Sequence, residues 1–596
     1  MEAANLQIYW HESQPVYSLC FEPPSLYSSS SSSSSSSATN AIDQKKLGMR
    51  LITAGGDNKI RSWSLNMSDS DLNFDSEPKT QVQKINSIDF LSSLTQHEQA
   101  INVVKFNPLG NILASAGDDG QVLLWKRHIN DDVDVNDDDN NKDGTERTHI
   151  KKPFGMSNDN DDDDNLEGVK DDNNNSWFIW KRLRPNGSNT SEIYDLDWSP
   201  CGNYIVIGSM DNCIRIFQIT KNKNDESSFL NNQIFSFNDH NHYVQGVVWD
   251  PMNQYILSQS ADRSVNIYQL IWNHESQLIS IKFKNKIIKG DLPQSIATTT
   301  TGTRQNTLDY NNLKTSYLFH NESLPSFFRR LTISPCGSLF CIPTGIFKQP
   351  IVSKDDSTSS NNSNSDPNNC VYFYTRASII SNSNRPIFTI PSLKKPALVI
   401  AFNPNFYPLS SSKDDENHHS HPYIKLPYKL IYAIATSNEI LIYDTESIEP
   451  ISIIGNLHYT ALTDLSWSSD GTMLMISSTD GFCSYISIDA EKYFGNPFSN
   501  DEKFKIINLN RLKYEKTQTN STTTNNNNDN STGPSIMAST KNTVTPSNKM
   551  DIINILPVKR KNKSNDNSST IEKKEDKSGI IIESLPLDKK MKPDEN

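Results

Sequence analysis

Residues 97–127, HEQAINVVKFNPLGNILASAGDDGQVLLWKR, form a unit that recurs along the chain, and this recurrence constrains the fold more than any other feature. The unit opens on His97 and runs through an alternating apolar stretch at Ile101, Val103 and Phe106. It turns at Asn107-Pro108-Leu109-Gly110 and continues as two short apolar runs separated by Gly117-Asp118-Asp119-Gly120 and closed by Trp125. Each run has strand length, β-branched or aromatic residues, and turn chemistry at both ends. Three strands alone cannot bury both of their faces, so the unit needs neighbours.

Six further copies supply them. The first is split, His11–Pro23 resuming at Leu51–Leu65, with the serine run 28–37 spliced into the turn. The third is Glu192–Ile219, the fourth His242–Leu270 and the last His458–Ile488. Two weaker copies, Leu331–Arg376 and Leu398–Glu446, carry long insertions. In five copies an Asp precedes the closing aromatic or aliphatic residue by six positions: Asp57 and Trp63, Asp119 and Trp125, Asp211 and Phe217, Asp262 and Tyr268, Asp480 and Ile486.

This pattern resembles the WD-repeat family, whose blades are four-stranded sheets around a central channel. The resemblance implies that the turn Asp bonds a loop His, pairing Asp57, Asp119, Asp262 and Asp480 with His11, His97, His242 and His458; Asp211 has no such His. Seven copies predict an all-β, seven-bladed propeller over residues 1–490. The last copy has only three strands, which would leave its outer edge unpaired. Leu6–Trp10 (LQIYW) is the expected fourth strand closing that blade.

Low-complexity insertions are expected at 25–48, 128–175, 291–314, 350–368 and 409–421, because loop-closure cost grows slowly with length. The tail, 491–596, is polar and predicted to be disordered apart from short motifs. The net charge of -13 is mostly local: residues 131–172 hold 16 acidic against five basic side chains. A generally basic nucleic-acid surface is therefore not indicated, whereas an acidic tether is. No apolar run approaches the ~20 residues of a membrane span, and the first residues lack the basic and apolar regions of a signal peptide, so an intracellular, non-membrane protein is expected. The seven cysteines are scattered without a CxxC pair and read as small buried hydrophobes.

The chain holds no phosphate loop, no G-x-G-x-x-G, no G-x-S-x-G and no H-E-x-x-H. His418, His419 and His421 sit in a hydrophilic insertion and read as solvated rather than as metal ligands. The repeating Asp and His residues read as framework, because a residue recurring once per blade serves the blade. No enzymatic activity, cofactor or metal is expected.

Function is sought in the segments that fail to repeat. The acidic insertion, densest at Asp161–Asp164, reads either as a lure for a basic partner such as histone or as a solvated spacer. Tyr317–Arg330, with Phe327, Phe328, Arg329 and Arg330, and Ile390–Ala397, with Lys394 and Lys395, read as edge strands of their blades or as partner-contact loops. In the tail, Asp551–Lys563 and Gly579–Pro593 place apolar runs before basic clusters, suited to strand addition on a partner or to nuclear import.

Several stretches, LQIYWHESQPVYSLCFEP, FHNESLPSFFRR, PSLKKPALVIAFNP and SSTDGFCSYISID together with the unit at 97–127, resemble the WD-repeat subunits of chromatin assembly factor 1 and the related HIR-type histone chaperones. The resemblance spans residues 1 to about 490. It implies a nuclear, non-enzymatic scaffold that joins the large and small subunits of that complex and acts in deposition of histones H3 and H4, without sequence-specific DNA binding. It also implies a tail motif, Lys589, Lys590, Met591, Lys592 and Pro593, that docks on an anti-silencing-type histone chaperone, with Lys where that family uses Arg. Left open beside it is a propeller adaptor for ubiquitin ligation or RNA processing.

Overall fold

The computed structural model describes residues 1–24, 49–67, 82, 84–127, 177–186, 191–219, 233–273, 276–300, 303–347, 368–410 and 424–523. Seven four-stranded antiparallel sheets follow one another along the chain. Their innermost strands are Val16–Phe21, Ile101–Phe106, Ile193–Trp198, Val244–Trp249, Thr332–Ile333, Ala397–Tyr407 and Leu462–Trp467. Each touches the next, and the seventh touches the first, so the sheets are blades of a closed seven-bladed propeller. Blade two has the plan of the rest: Ile101–Phe106, Leu113–Gly117, Val122–Arg127 and, beyond the acidic insertion, Trp177–Leu183.

The core lies between blades rather than within them. Ile52, Ala54 and Ile60 of blade one meet Val104, Leu113, Leu123 and Trp125 of blade two, and the same sandwiching recurs around the ring. Burying both faces of every sheet is what makes each repeat depend on its neighbours. The inner strands are apolar on both faces for the same reason.

The ring closes one step earlier in the chain than expected. Glu2–Leu6, not 6–10, pairs with Cys483–Ser487 as the outer strand of blade seven. After Leu6 the backbone tightens twice, Ile8 N to Leu6 O and Trp10 N to Ile8 O. The turns drive Trp10 into the core between blades one and seven, edge-on to Trp63 at 4.8 Å. The alternation in LQIYW thus marks a buried anchor rather than a strand.

Two segments expected to lack structure are ordered. Within 291–314, Lys289–Thr300 and Thr303–Tyr317 pair with each other as a long antiparallel hairpin. Its threonines suit a strand, but the two strands pair with each other and join no blade, so the repeat pattern could not reveal them. Part of the tail is helical. With α1 (Arg376–Ile380) in blade five, α2 (Ala490–Tyr493) and α3 (Asn500–Thr523) complete the helices of the described residues. Ile506 and Ile507 of α3 pack on the core shared by blades five and six, which is why this stretch folds where a free polar tail would not.

Insertion 25–48, residues 128–175 with the acidic run, most of 350–368, His418, His419 and His421, and 524–596 with the Lys589–Pro593 motif lie outside the described residues. No helix among those described is long and apolar enough to cross a membrane.

Candidate partner-binding surfaces

Strands alternate in direction within each blade, so the loops entering the inner strands and the turns between second and third strands share one face, here the upper face. On this face the repeated Asp and His residues form relays. Trp125 Nε1–H donates to Ser115 Oγ at 2.9 Å, Ser115 lies 2.7 Å from His97 Nε2, and His97 Nδ1 lies 2.7 Å from Asp119. An indole can only donate, so the serine hydrogen turns to Nε2 and the proton on Nδ1 faces the carboxylate. The same logic orders Trp63, Thr53, His11 and Asp57, with His11 2.6 Å from Asp57.

Burial lowers the pKa of His11 and keeps its ring neutral against the opposing pull of Asp57. Burial pushes the Asp57 carboxyl up, but His11, Arg61 and a backbone N–H together hold it below its usual range. Blade seven keeps the His–Asp pair, His458 3.1 Å from Asp480, but takes its hydroxyl from the third strand, Ser484 at 2.8 Å, with no Trp above it.

Blade four differs from the sequence reading. His240, not His242, lies 3.3 Å from Asp262 and 2.7 Å from Ser258. The separation of 22 residues between His and Asp in blades two and seven holds for His240, so the spacing was available in the sequence. His242 accepts from the Tyr243 N–H instead. In blade three Arg215 pairs with Asp211, replacing the missing His.

These relays also aim side chains outward. The turn Asp accepts the backbone N–H of the residue after the His, from Glu98, Asn241 and Tyr459 in blades two, four and seven. Tyr459 is 93 % exposed as a result. No motif pointed to it, yet its place after a repeat His was a usable signal.

The segment 318–331 lies over the upper end of the channel, and its basic pair is internal. Six inner strands slip register at their second residue, leaving Tyr17, Asn102, Tyr194, Gln245, Leu398 and Thr463 outside the strand pairing. Carbonyls released by five of these bulges are met by two arginines. The Arg330 guanidinium donates to Tyr17, Asn102 and Thr463 at 3.3, 2.8 and 3.4 Å, and its backbone N–H donates to Leu398 at 2.9 Å. Arg329 N–H donates to Gln245 O at 3.0 Å. Arg330 also lies 2.5 Å from the Asp464 carboxylate and 4.5 Å over the Phe328 ring.

Arg329, Arg330 and Phe328 are buried and therefore tie blades together rather than face a partner. Phe327 alone of the four faces solvent, beside Tyr194 and Phe328. Lys394 and Lys395 are exposed in the loop between blades five and six, Lys394 bonding Glu439 at 3.0 Å.

The accessible upper face thus carries Phe327 and Tyr459, acidic Glu98 and Glu192, and Lys394 and Lys395. Glu192 accepts from Tyr194 Oη at 3.0 Å. Below Arg330 the channel forms a cavity of about 430 Å³ lined by Glu22, Lys105, Asp197, Asp464 and Trp467 among others. Lys105 bridges Asp195 and Asp197 at 3.6 and 3.5 Å. These surfaces present aromatic and charged groups to solvent and to the channel. No group of His, Cys, Asp and Glu among the described residues has metal-site geometry.

The CAF1B/HIR1 beta-propeller domain matches residues 154–493, and a WD domain, G-beta repeat, matches residues 88–126. The chain is 45% identical to the B subunit of chromatin assembly factor 1 from Saccharomyces cerevisiae, covering 83% of this chain and 88% of that protein. It is 29% identical to the B subunit of chromatin assembly factor 1 from Mus musculus over 87% of this chain and 72% of that one. It is 23% identical to Protein HIR1 of Yarrowia lipolytica over 74% of this chain and 35% of that one. A domain match over residues 154–493 and mutual coverage above four fifths with the yeast protein leave one conclusion: the chain belongs to the CAF1B/HIR1 β-propeller family, on its chromatin assembly factor 1 side.

Proposed function

We infer that this protein is a WD-repeat scaffold in chromatin assembly, a non-enzymatic component of a chromatin assembly factor 1 complex that works in the nucleus in replication-coupled deposition of histones H3 and H4. The observation that carries this reading is the 45% identity to the yeast chromatin assembly factor protein over 83% of this chain and 88% of that protein. A closed ring suits the role: its rigid rim fixes Phe327, Tyr459, Lys394 and Lys395 relative to one another, so partners bound there are held in a set geometry. The large and small subunits of the complex and histones H3 and H4 are the proposed partners. Lys589, Lys590, Met591, Lys592 and Pro593 are proposed to dock an anti-silencing-type histone chaperone. The similarities do not favour the ubiquitin-ligase or RNA-processing adaptor.

The test is purification of the full-length protein from its own cells at physiological salt, with mass spectrometry of what accompanies it. Two further subunits and histones H3 and H4 are expected. Recovery of neither, or of a ligase scaffold or splicing factors as the main partners, overturns the reading. Deleting residues 579–596 tests the tail separately: unchanged chaperone binding removes the motif and leaves the ring's role intact.

A further inference from the structure

Helix α3 has two apolar faces, and the ring covers only one. On the covered face Ile506 and Ile507 pack into the core of blades five and six. Asn510 donates to Tyr428 Oη at 3.0 Å, and the Tyr514 ring lies 5.4 Å from the Arg376 guanidinium. Those contacts fix the helix, so nothing in the fold requires apolar residues on its other side. That side nonetheless presents Phe504, Leu509 and Leu512, exposed by 60, 65 and 53 %. At 3.6 residues per turn these three share the outward face within about two and a half turns. Such a stripe is the anchor pattern of helix-on-helix recognition.

The charges around the stripe select its occupant. Lys505 lies on the outward face between Phe504 and Leu509, and Arg511 and Lys513 flank Leu512 on opposite sides, all three exposed. Asp501 and Glu502 lie in the first turn, where they complement the helix N-terminus, and Glu515 is outnumbered by the cations along the rest of the helix. A second copy of this helix would set these cations against themselves, which disfavours self-association. We propose that the outward face of α3 docks an amphipathic helix of a partner protein whose apolar stripe is flanked by Asp and Glu. The proposal stands on the helix itself and does not depend on the chromatin reading.

The test is a photocrosslinker, p-benzoylphenylalanine, in place of Leu512 of the full-length protein in its own cells, with the crosslinked peptides sequenced. The expected product joins position 512 to a peptide of another protein with apolar residues three and four apart and acidic neighbours. Its yield should fall about tenfold when Lys505→Glu and Arg511→Glu are added, as for lost complementary charge. The melting temperature should hold, since both side chains face solvent. Crosslinks only within the chain, to a second copy, to nucleic acid, to lipid or to a basic peptide overturn the proposal. So does a yield that ignores the charge reversal, or no crosslink at all.

Discussion

Arg330 and Asp464 meet at 2.5 Å over the channel, joining the segment that leads into blade five to the inner strand of blade seven. Both side chains are largely buried, and Asp464 also accepts from Ser18 Oγ at 2.8 Å in blade one. Removing the arginine would leave that carboxylate without its cation and three carbonyls without their guanidinium donor. Arg330→Ala is expected to destabilise the protein by about 3–5 kcal/mol. Arg330→Lys should cost less, since it keeps the charge and loses the fork. Urea midpoints measure both, and an alanine variant as stable as the parent would refute the role of Arg330 as the tie across the ring.

Gly246 tests the same segment from the opposite wall. A Cβ there would stand 2.0 Å from the Arg329 carbonyl oxygen, which is backbone and cannot swing away. Gly246→Ala should therefore displace residues 326–331 from the channel. Faster amide exchange at Arg329 and Arg330 would register it, and unchanged exchange would contradict it.

The two histidines of blade four separate by mutation. His240→Ala removes one hydrogen-bond partner from each of Asp262 and Ser258 and is expected to cost about 1–3 kcal/mol. His242→Ala touches no relay and should stay near ~0.5 kcal/mol. Equal losses from the two variants in thermal melts would rule out the assignment.

Acid should weaken the ring in two windows. Burial depresses His11 and His458 below the ordinary 6.5, so the unfolded chain takes up protons there before the folded one does. Their contribution is complete above that value and is lost as pH falls through the folded pKa values. Asp57, Asp119 and Asp262 are held below 3.8 despite burial, because their histidines and backbone N–H groups stabilise the anion. Their share is lost at lower pH still, below 3.8 and down through their folded values. Melting temperature against pH gives the profile, and His458→Gln should flatten its upper limb; a slope unchanged in that variant would exclude His458 as a source.

The faces of α3 should respond in opposite ways. Ile507→Asp places a charge against the core of blades five and six, where the side chain is partly buried, and is expected to lower stability by about 2 kcal/mol. Leu512→Asp should leave the melting temperature alone. The reverse order would mean that the helix docks through its other side.

Much of the ring was legible because a propeller writes its geometry once per blade. Asp119 and Trp125 recur with fixed spacing because each blade needs the same turn and the same relay, so the pattern survives averaging over copies. His240 was missed because a neighbouring histidine two residues on obscured the 22-residue separation. The hairpin Lys289–Thr300 with Thr303–Tyr317 was missed because it repeats nothing. Helix α3 was missed because its apolar residues, Phe504, Ile506, Ile507, Leu509, Leu512 and Tyr514, are spread over two faces and give no single helical period.

The sequence by itself determined the number of blades and their order, since these follow from local strand and turn chemistry. Tertiary structure alone decided the roles of the residues that do not repeat. Phe327, Phe328, Arg329 and Arg330 stand side by side in the chain, yet one faces solvent and three are buried. What separates them is the set of carbonyls that the bulges of five other blades release into the channel. Those acceptors are brought together only when the ring closes, so no reading of residues 317–330 alone could assign the arginines to the interior.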